Sequence, residues 1–417
     1  MKIHIITIGD EILIGQILNS NASYIGELLS NNSYKVTSSS VVGDKEEIIV
    51  DEINSAFKNN DVVICTGGLG PTHDDVTLPA IVKSFNTELV KNEEVLNDIK
   101  EIFNKRNREL TDTNIKQSYV PKNCQPIRNH NGTAPGIYII EKDKLFFALP
   151  GVPLEMRAMM QDFVLPIICE HFPQEYITKI KTLMTTGIPE SYLFDEIKKI
   201  DGIIEQGNLA FLPSQFGVRI RVTAVEQDEE TANEKIFEIE QQIRSKVGRY
   251  IYGKDSQNLE LIVGNLLKDR RFTIAVAESC TGGLISSRIT NISGSSEYFE
   301  RAMVTYSNGA KVEQLGIDED LLHKYGAVSL EVARLMAEGI KAVSGTDIGL
   351  AVTGIMGPGG STENKPVGLV YIGICDDTLC TAKEFRFGDN RLLNKDRASQ
   401  AALEILRRNL LGISYDQ

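Results

Sequence analysis

Two glycine-rich loops hold many of the residues in this sequence that could do chemistry. The first is Thr66-Gly-Gly-Leu-Gly-Pro-Thr-His-Asp-Asp75, and the second is Thr353-Gly-Ile-Met-Gly-Pro-Gly-Gly360. Each follows an apolar run that is typical of a buried strand. Because glycine has no Cβ, the backbone N–H groups of such loops can approach a phosphate closely. The two loops therefore predict two separate pockets for nucleotide-type ligands.

The first loop ends in two adjacent carboxylates, Asp74 and Asp75. Oxygen ligands of this kind hold hard divalent cations, and such a cation would neutralise a pyrophosphate. The alternative is that the pair caps the following helix, where aspartate favours the first turn. The preceding glycines favour the metal site, with Asp10 as a further ligand, whereas His73 is more typical of a surface residue.

The C-terminal third contains candidates for a catalytic set. Hydrolysis of a carboxamide needs a nucleophile, a base to activate it, donors for the oxyanion and an anchor for any phosphate. Ser296 precedes a segment that we predict to be an amphipathic helix, whose N–H groups would favour negative charge on its oxygen. A desolvated Lys311 could serve as the base, and Tyr306 could relay the proton. A helix cap, a surface lysine and a packed tyrosine are the alternatives for these residues.

Cys280 is the rival nucleophile, because cysteine attacks the substrate in many amidases. A thiol needs an activating base, usually histidine, and His323 is the one histidine in this third of the chain. His323 lies in a charged segment that we expect to be exposed. We therefore interpret Cys280 as a structural or pocket-wall residue.

Backbone N–H groups and hydroxyls near the glycines are the predicted phosphate donors, and the Thr353 loop would hold a monophosphate because it lacks an adjacent carboxylate pair. An arginine in Phe387-Gly-Asp-Asn-Arg391 could add a guanidinium. The predicted substrate-binding residues are Ser279, Thr281, Gly282, Gly283, Thr353, Gly354, Arg391, Gly67, Gly68, Gly70 and Thr72.

Composition limits the classes of function. The chain has 417 residues, 42% hydrophobic and 24% charged, and a net charge of −13. This length predicts two to three domains, and the acidic balance gives no strong nucleic-acid signal. The six cysteines are scattered, and neither a signal peptide nor a membrane span is predicted. We expect a cytoplasmic protein with reduced thiols.

Alternating strands and helices must position these residues in an α/β fold. Residues 1–168 read as a mostly parallel, three-layer α/β domain, with strands at Ile3–Ile8, Val36–Val42, Val62–Cys65 and Leu145–Leu149. Such a sheet has its site at the carboxyl ends of its strands. Residues 169–252 form a small α+β module, and residues 253–417 a second α/β domain.

These motifs resemble one known family. The Thr66 loop resembles the molybdopterin-binding, MoaB/MogA-like fold, and Gly9-Asp-Glu-Ile-Leu-Ile-Gly15 with Asn19 and Asn21 is similar to its CinA branch. Ala277-Glu-Ser-Cys-Thr-Gly-Gly283 opens a series of motifs that is similar to the CinA C-terminal domain, a nicotinamide-nucleotide amidohydrolase. The resemblance covers essentially the whole chain.

The resemblance implies a homodimeric, bifunctional enzyme of pyridine-nucleotide salvage. Its C-terminal amidohydrolase domain would convert nicotinamide mononucleotide to nicotinate mononucleotide and ammonia without a cofactor, using Ser296, Tyr306 and Lys311. Its N-terminal domain would cleave the pyrophosphate of ADP-ribose with a divalent ion (Mg, Mn or Co). The family has an arginine directly after Gly-Asp, whereas Asn390 intervenes here, which leaves Arg397 as an alternative to Arg391.

Two other functions stay open from sequence. One is a non-enzymatic adaptor linked to competence or DNA damage, in which the middle module would resemble a nucleic-acid-binding KH domain. That module shows neither a Gly-x-x-Gly loop nor a net basic stretch, which weighs against this alternative. The other is molybdopterin binding by residues 1–165.

Overall fold

The computed structural model describes residues 1–72, 75–105, 107–200, 202–203 and 208–414. The chain divides into two compact units. The first is Met1–Lys179 with Val225–Ala232, and the second is Ile180–Ala224 with Asn233–Gln417.

The first unit is built on a six-stranded sheet, accompanied by a two-stranded ribbon. Its strands are β1 (Ile3–Ile8), β2 (Val36–Val42), β3 (Val62–Thr66), β4 (Leu89–Lys91), β5 (Tyr119–Pro121), β6 (Gln125–Ile127), β7 (Gly136–Glu141) and β8 (Lys144–Leu149). The sheet order is β2-β1-β3-β8-β7-β6, and β4 pairs with β5. The first four strands of the sheet are parallel, and β7 and β6 extend it antiparallel.

Helices cover both faces of this sheet. They are α1 (Asp10–Leu13), α2 (Ser20–Asn31), α3 (Glu46–Asn59), α4 (Thr77–Ser84), α5 (Glu93–Lys105), α6 (Asp112–Lys116), α7 (Pro153–Met159) and α8 (Leu165–His171), with a π-turn at Met160–Val164. Alternate strand residues enter two different apolar clusters, Ile64 and Phe147 in one, Val63 and Phe146 in the other. Because successive side chains of a strand point to opposite faces, this is the predicted three-layer arrangement.

The second unit contains most of the small module, apart from its first residues up to Lys179 and the segment Val225–Ala232. Its elements are β9 (Ile177–Thr185), α9 (Glu190–Ile197), β10 (Asn208–Ser214), β11 (Gly217–Glu226), α10 (Glu229–Val247), a 3₁₀ turn (Gly248–Tyr250) and β12 (Ile251–Lys254). The strand order is β10-β11-β9-β12. One face of β11 is apolar, with Ile220 and Val222 packed on Ile239 and Ile243 of α10. The module is thus α+β, with helix packed on sheet.

The rest of the second unit is a further three-layer α/β structure. Its elements are α11 (Leu259–Arg270), β13 (Ile274–Glu278), α12 (Leu284–Thr290), a 3₁₀ turn (Ser295–Glu297), β14 (Phe299–Val304), α13 (Asn308–Leu315), α14 (Glu319–Tyr325), α15 (Leu330–Ser344), β15 (Ile348–Gly354), β16 (Leu369–Cys375), β17 (Cys380–Arg386) and α16 (Arg391–Leu411). The sheet order is β14-β13-β15-β16-β17, with the first three strands parallel and the last two antiparallel.

Polar caps start several of the helices close to the strands that they follow. The side chain of Ser307 accepts a hydrogen bond from the N–H of Ala310 (3.1 Å), so α13 begins just after β14. Asn390 accepts from the N–H groups of Leu392 and Leu393 (both 3.1 Å) and starts α16. Such caps satisfy N–H groups that have no partner inside the helix. They fix where the first side chains of each helix lie.

Two sequence-based expectations are wrong in this part of the chain. The segment after Ser296 is the strand β14 and not an amphipathic helix. Cys375 and Cys380 are paired residues of neighbouring antiparallel strands and form a disulfide, so the expectation of reduced thiols fails for these two. No helix within the described ranges is long and apolar enough to cross a membrane.

Candidate active site

The parallel strands of the C-terminal sheet bring three loops together. The register pairs Glu278, the last residue of β13, with Val304 of β14 on one side and Val352 of β15 on the other. The residues that follow these strands therefore share one edge of the sheet. A cavity of about 240 Å³ lies there, and its lining includes Ser279, Tyr306, Lys311, Thr353, Gly354 and Arg391.

Lys311 is the buried cation of this cavity. Its side chain is only 1% exposed, and Nζ donates to the Ser279 hydroxyl oxygen (3.2 Å) and to the Thr305 and Tyr306 carbonyl oxygens (2.7 and 3.4 Å). All three acceptors are neutral. Burial lowers the pKa of Lys311, because removal from water disfavours the charged form. The result is an amine beside a hydroxyl, the arrangement in which a lysine can activate a serine.

The turn that carries Ser279 is held by Glu278. The Glu278 carboxylate is fully buried and accepts from the N–H groups of Gly283 (2.9 Å), Ile285 (3.2 Å) and Ser286 (2.9 Å). A negative charge at a helix N-terminus is favourable, and these donors would otherwise lack partners. On the other side, the N–H of Ser279 donates to the Val352 carbonyl oxygen (3.0 Å). The backbone of Ser279 is therefore fixed on both sides.

These contacts correct part of the predicted phosphate site. The N–H of Gly283 is already bonded to Glu278, and the N–H of Gly282 donates to the Ser279 carbonyl oxygen (3.2 Å). Neither glycine nor Thr281 lines the cavity. The φ angles of +59° and +93° at Gly282 and Gly283 show that the turn itself requires glycine. The prediction that these N–H groups bind phosphate is wrong for both glycines.

The Thr353 loop, in contrast, does line the cavity. Thr353 is buried, and its hydroxyl donates to the Ala327 carbonyl oxygen (2.8 Å). The hydroxyl proton is therefore already used in a hydrogen bond within the protein. Gly354, Gly359 and Gly360 are also part of the lining. The loop therefore lies where the sequence places it, beside Lys311.

Arg391, rather than Arg397, is the arginine of this cavity. Its Nη1 donates to the Gly357 carbonyl oxygen (2.7 Å), and its Nη2 donates to the Tyr306 hydroxyl (3.3 Å). Arg397 lies six residues further along α16 and lines a different cavity. Asn390, the residue inserted before Arg391, is the cap of α16.

Ser296 does not lie with Tyr306 and Lys311. It precedes β14, a strand of six residues, whereas Tyr306 and Lys311 follow it. Six extended residues span about 20 Å, so Ser296 and Lys311 lie at opposite edges of the sheet. Ser296 does not line the cavity. The interpretation of Ser296 as the nucleophile is therefore wrong.

Cys280 forms part of the cavity wall and is 6% exposed. Burial raises the pKa of its thiol to about 12. At neutral pH a thiol with this pKa is almost entirely protonated, and the protonated form is a poor nucleophile. The geometry thus favours the Ser279 hydroxyl over the Cys280 thiol as the nucleophile.

The first glycine loop is shaped by packing within its own chain. A Cβ on Gly67, which has a φ of +114°, would overlap the carbonyl oxygen of Ile8, and one on Gly68 would overlap the Thr77 hydroxyl. These glycines are required whether or not a ligand binds. The roles of Gly67, Gly68, Gly70 and Thr72 in substrate binding stay predictions.

Asp75 supports this loop from inside. Its carboxylate accepts from the N–H groups of Gly70 and Thr72 (both 2.8 Å) and from the Thr72 hydroxyl. Helix α4 begins at Thr77 without a side-chain cap, so the helix-cap alternative is wrong for Asp75. Asp74 and His73 lie outside the described residues. Asp10 is exposed, and its N–H donates to Asp44 (2.9 Å).

The described residues do not assemble the predicted metal site. They contain no group of three or more histidine, cysteine, aspartate or glutamate side chains that could hold a metal ion. Asp10 and Asp75 alone do not provide the oxygen ligands that a divalent cation needs.

A cavity of about 470 Å³ lies beside the first loop. Gly70, Thr72 and Asp75 line it together with Lys116 and Gln117. Gln117 is 8% exposed, and its Nε2 has no hydrogen-bond partner among the described residues. A cation and an unpaired amide donor are groups that would suit an anionic ligand.

Comparison with known proteins gives the family. A CinA-like protein of Kosmotoga olearia is 42% identical over 413 residues, which is 99% of this chain and 100% of that protein. The chain belongs to the CinA family. Three family profiles match it in succession: a probable molybdopterin binding domain at residues 4–170, the damage-inducible protein CinA KH domain at 180–253, and the CinA C-terminal domain at 256–410.

Solved structures of CinA proteins match parts of the chain. The crystal structure of CinA from Thermoplasma acidophilum is 36% identical, covers 40% of this chain and 98% of its own, and has a TM-score of 0.37. A competence/damage inducible protein from Agrobacterium tumefaciens is 39% identical, covers 36% of this chain and 91% of its own, and has a TM-score of 0.35.

Ser279 lines the cavity of this CinA chain, as predicted, but its contact with Lys311 was not predicted. Ser279 was predicted to bind substrate, whereas the structure places its hydroxyl against the buried lysine. A signal was available, because Ser279 directly follows an apolar strand and precedes a glycine turn and a helix. In other hydrolases a nucleophile lies on a sharp turn of this kind between a strand and a helix, and the turn exposes it at the edge of the sheet.

Proposed function

We propose that the C-terminal domain hydrolyses the carboxamide of nicotinamide mononucleotide to give nicotinate mononucleotide and ammonia. The observation that carries this proposal is the contact between the Lys311 amine and the Ser279 hydroxyl (3.2 Å) in a cavity at the sheet edge. A buried lysine that loses its proton readily is a suitable general base. The family resemblance supplies the substrate.

Ser279 is the nucleophile of the proposed reaction. Neutral Lys311 accepts the hydroxyl proton while Oγ forms a bond to the carboxamide carbon. The oxyanion that results is stabilised by N–H groups, for which Cys280 and Thr281 are the nearest along the turn. Protonated Lys311 then gives its proton to the amide nitrogen, the C–N bond breaks, and ammonia leaves.

Water completes the cycle. Lys311 removes a proton from water, the resulting hydroxide attacks the ester carbon, and the bond to Oγ breaks. The proton returns from Lys311 to Ser279, and the carboxylic acid product ionises in solution. Every proton is thus transferred by the same lysine.

Arg391 would bind the phosphate of the substrate. Its guanidinium is at the cavity wall and bonded to neutral oxygens, the Gly357 carbonyl and the Tyr306 hydroxyl, so its charge is available to an anion. Tyr306 is 63% exposed and shares this contact. We propose that Tyr306 orients Arg391, and its role as a proton relay stays a prediction.

The decisive experiment compares two serines. Ammonia release from nicotinamide mononucleotide is measured for the full chain and for the variants Ser279→Ala and Ser296→Ala. Loss of the nucleophile should lower kcat by a factor on the order of 10³ or more, whereas Ser296→Ala should keep full activity. Full activity of Ser279→Ala, or an inactive wild-type protein, would contradict the proposal.

We propose a second activity for the N-terminal domain, the cleavage of ADP-ribose at its pyrophosphate. The cavity beside the first glycine loop favours an anionic ligand, because it is lined by Lys116 and by Gln117, whose Nε2 donor has no partner among the described residues. The resemblance implies a divalent ion for this reaction, although the described residues do not assemble a set of ligands for it.

Formation of AMP from ADP-ribose tests this second activity. The assay is run with Mg, Mn or Co, and then with a chelator, while ammonia release is followed in parallel. A chelator should abolish the formation of AMP and spare the deamidation. Loss of both activities together would contradict two independent sites. No cleavage with any of the three metals would contradict the proposed second activity.

A further inference from the structure

A second cavity of the second unit is separate from the candidate active site. It has a volume of about 700 Å³ and lies between the β10–β11 hairpin, strand β17 and helix α16. It shares no lining residue with the cavity around Lys311. Cavities of several hundred Å³ with aromatic walls and a few polar groups are typical of small-molecule sites.

Aromatic side chains form much of its wall. The rings of Phe385 and Phe387 are stacked, with centroids 6.0 Å apart and an angle of 16° between the planes. Phe216, at the tip of the hairpin, has the guanidinium of Arg288 5.2 Å from its ring centroid. All three phenylalanines line the cavity and are only partly buried. They offer flat apolar surface to a planar ring.

A buried side-chain amide in the wall has one donor that is unpaired among the described residues. Gln400 is 4% exposed, and its Oε1 accepts from Nη2 of Arg288 (2.8 Å), which fixes the orientation of the amide. Its Nε2 has no hydrogen-bond partner within the described residues. Buried polar groups are normally paired, so an unpaired donor at a cavity indicates an acceptor that comes from a ligand.

One positive charge in the wall is also uncompensated. Arg386 is paired with Glu384 (2.7 Å), and Arg408 with Glu404 (2.7 Å). Arg397 is half-buried and makes no ion pair with a described residue, although the chain carries a net charge of −13. A free guanidinium in such an acidic protein is suited to a phosphate.

We propose that this cavity binds a nucleoside monophosphate, with the base against the Phe385 and Phe387 wall and the phosphate at Arg397. Gln400 donates to an oxygen or nitrogen of the ligand. The site is separate from the proposed deamidase and pyrophosphatase sites and depends on neither activity. Its concave shape and its size favour a single nucleotide over a nucleic-acid strand.

Calorimetric titration of the full chain tests this proposal, with AMP as the probe. The Arg391→Ala background removes the arginine of the candidate active site and also carries Lys116→Ala, which weakens AMP binding as a product at the proposed pyrophosphatase site. In this background AMP should still bind. Adding Arg397→Gln should weaken this binding at least about tenfold, as expected for the loss of a charge-assisted contact. The matched control is Arg270→Gln, an exposed arginine of α11 that does not line the cavity.

Further probes separate the possible ligands. Adenosine and inorganic phosphate should each bind more weakly than AMP, because each makes only half of the contacts. A second variant, Phe385→Leu, should weaken AMP binding and leave phosphate binding unchanged. The melting temperature of each variant verifies that it is folded.

Three results would overturn the proposal. They are no AMP binding in the background that carries Arg391→Ala and Lys116→Ala, equal affinity of the Arg397→Gln and Arg270→Gln variants, and tighter binding of an oligothymidylate than of AMP in an Arg397-dependent manner. The last result would assign the surface to single-stranded nucleic acid instead.

Discussion

In the loop after β3, a Cβ on Gly67 would overlap the Ile8 carbonyl oxygen, whereas Gly359 in the loop after β15 has open space beside it. Gly67 is in the left-handed region and closes against its own chain. Gly359 lines the cavity that holds Lys311. Two loops with similar sequences thus need glycine for different reasons.

The difference shows that a glycine-rich loop after a strand does not by itself define a ligand site. In the first loop, the Asp75 carboxylate is occupied by backbone N–H groups of the loop. In the C-terminal domain, the equivalent internal support comes from Glu278, on the neighbouring strand, and the Thr353 loop faces a buried amine. Chemistry is indicated by the amine, not by the glycines.

The largest effect should come from Lys311→Met. Removing the proposed base should lower kcat for ammonia release by about 10³-fold, with little change in the cleavage of ADP-ribose. Lys324→Met, at an exposed lysine of the same domain, is the matched control. If the Lys311→Met variant stayed active, the buried amine would not be the catalytic base, and the contrast drawn between the two loops would be wrong.

Next in size is the contrast between two glycine substitutions. Gly67→Ala combines a φ of +114° with a clash against Ile8 and should lower the free energy of unfolding of the first unit by about 2 kcal/mol or more. Gly359→Ala should change stability by less than about 0.5 kcal/mol but raise KM for the mononucleotide. Calorimetric unfolding and steady-state kinetics measure the two effects. Equal loss of stability would contradict the comparison.

Arg391→Ala should raise KM for nicotinamide mononucleotide by about 10- to 100-fold, since a hydrogen bond to a charged group contributes about 1.5–3 kcal/mol. Nicotinamide riboside, which lacks the phosphate, provides the control substrate. If both substrates lose affinity equally, Arg391 orders the loop through Gly357 and does not contact phosphate.

The pH dependence of deamidation should follow Lys311. The neutral amine is the active form, so kcat should fall about tenfold per pH unit below the pKa of this lysine, which burial places below 10.5. The unfolded chain binds the proton more tightly than the folded one, so this group makes stability rise with pH between the two pKa values. If kcat did not change between pH 5 and the highest pH at which the protein stays folded, Lys311 would not be the general base.

The smallest effect is expected for Asp75→Asn. The amide places a donor where the carboxylate accepts from Thr72 or Gly70, and this should lower the free energy of unfolding by about 1 kcal/mol. Glu93→Gln, at an exposed residue of α5, is a suitable control. A gain in stability at Asp75 would show that the carboxylate is strained by the loop.

Local patterns predicted the α/β architecture well. The apolar runs at β1, β3 and β8 are buried on both faces and could be recognised without knowledge of their neighbours. The segment after Ser296 was harder, because Phe299-Glu-Arg-Ala-Met-Val304 fits a helix and a strand equally well. Its pairing with β13 makes this segment a strand. Such a pairing partner cannot be identified from the sequence of the segment alone.

The candidate site was predictable as a region but not as a set of contacts. Lys311 and Ser279 are 32 residues apart, and only the parallel register of β13 and β14 brings them together. Burial of Lys311 depends on the helices that cover the sheet, so its lowered pKa could not be anticipated from neighbours in the sequence. The role of Asp75 as an acceptor for its own loop likewise depends on three-dimensional geometry.

The buried carboxylate of Glu278 has a further consequence for the rate of reaction. It ties the turn after β13 to the start of α12 before any substrate arrives, so the nucleophile is preorganised. The conformational entropy of this turn is lost once, when the chain folds, and is not lost again in each turnover. A protein with the same two catalytic side chains on a loose turn would have to order that turn at every encounter.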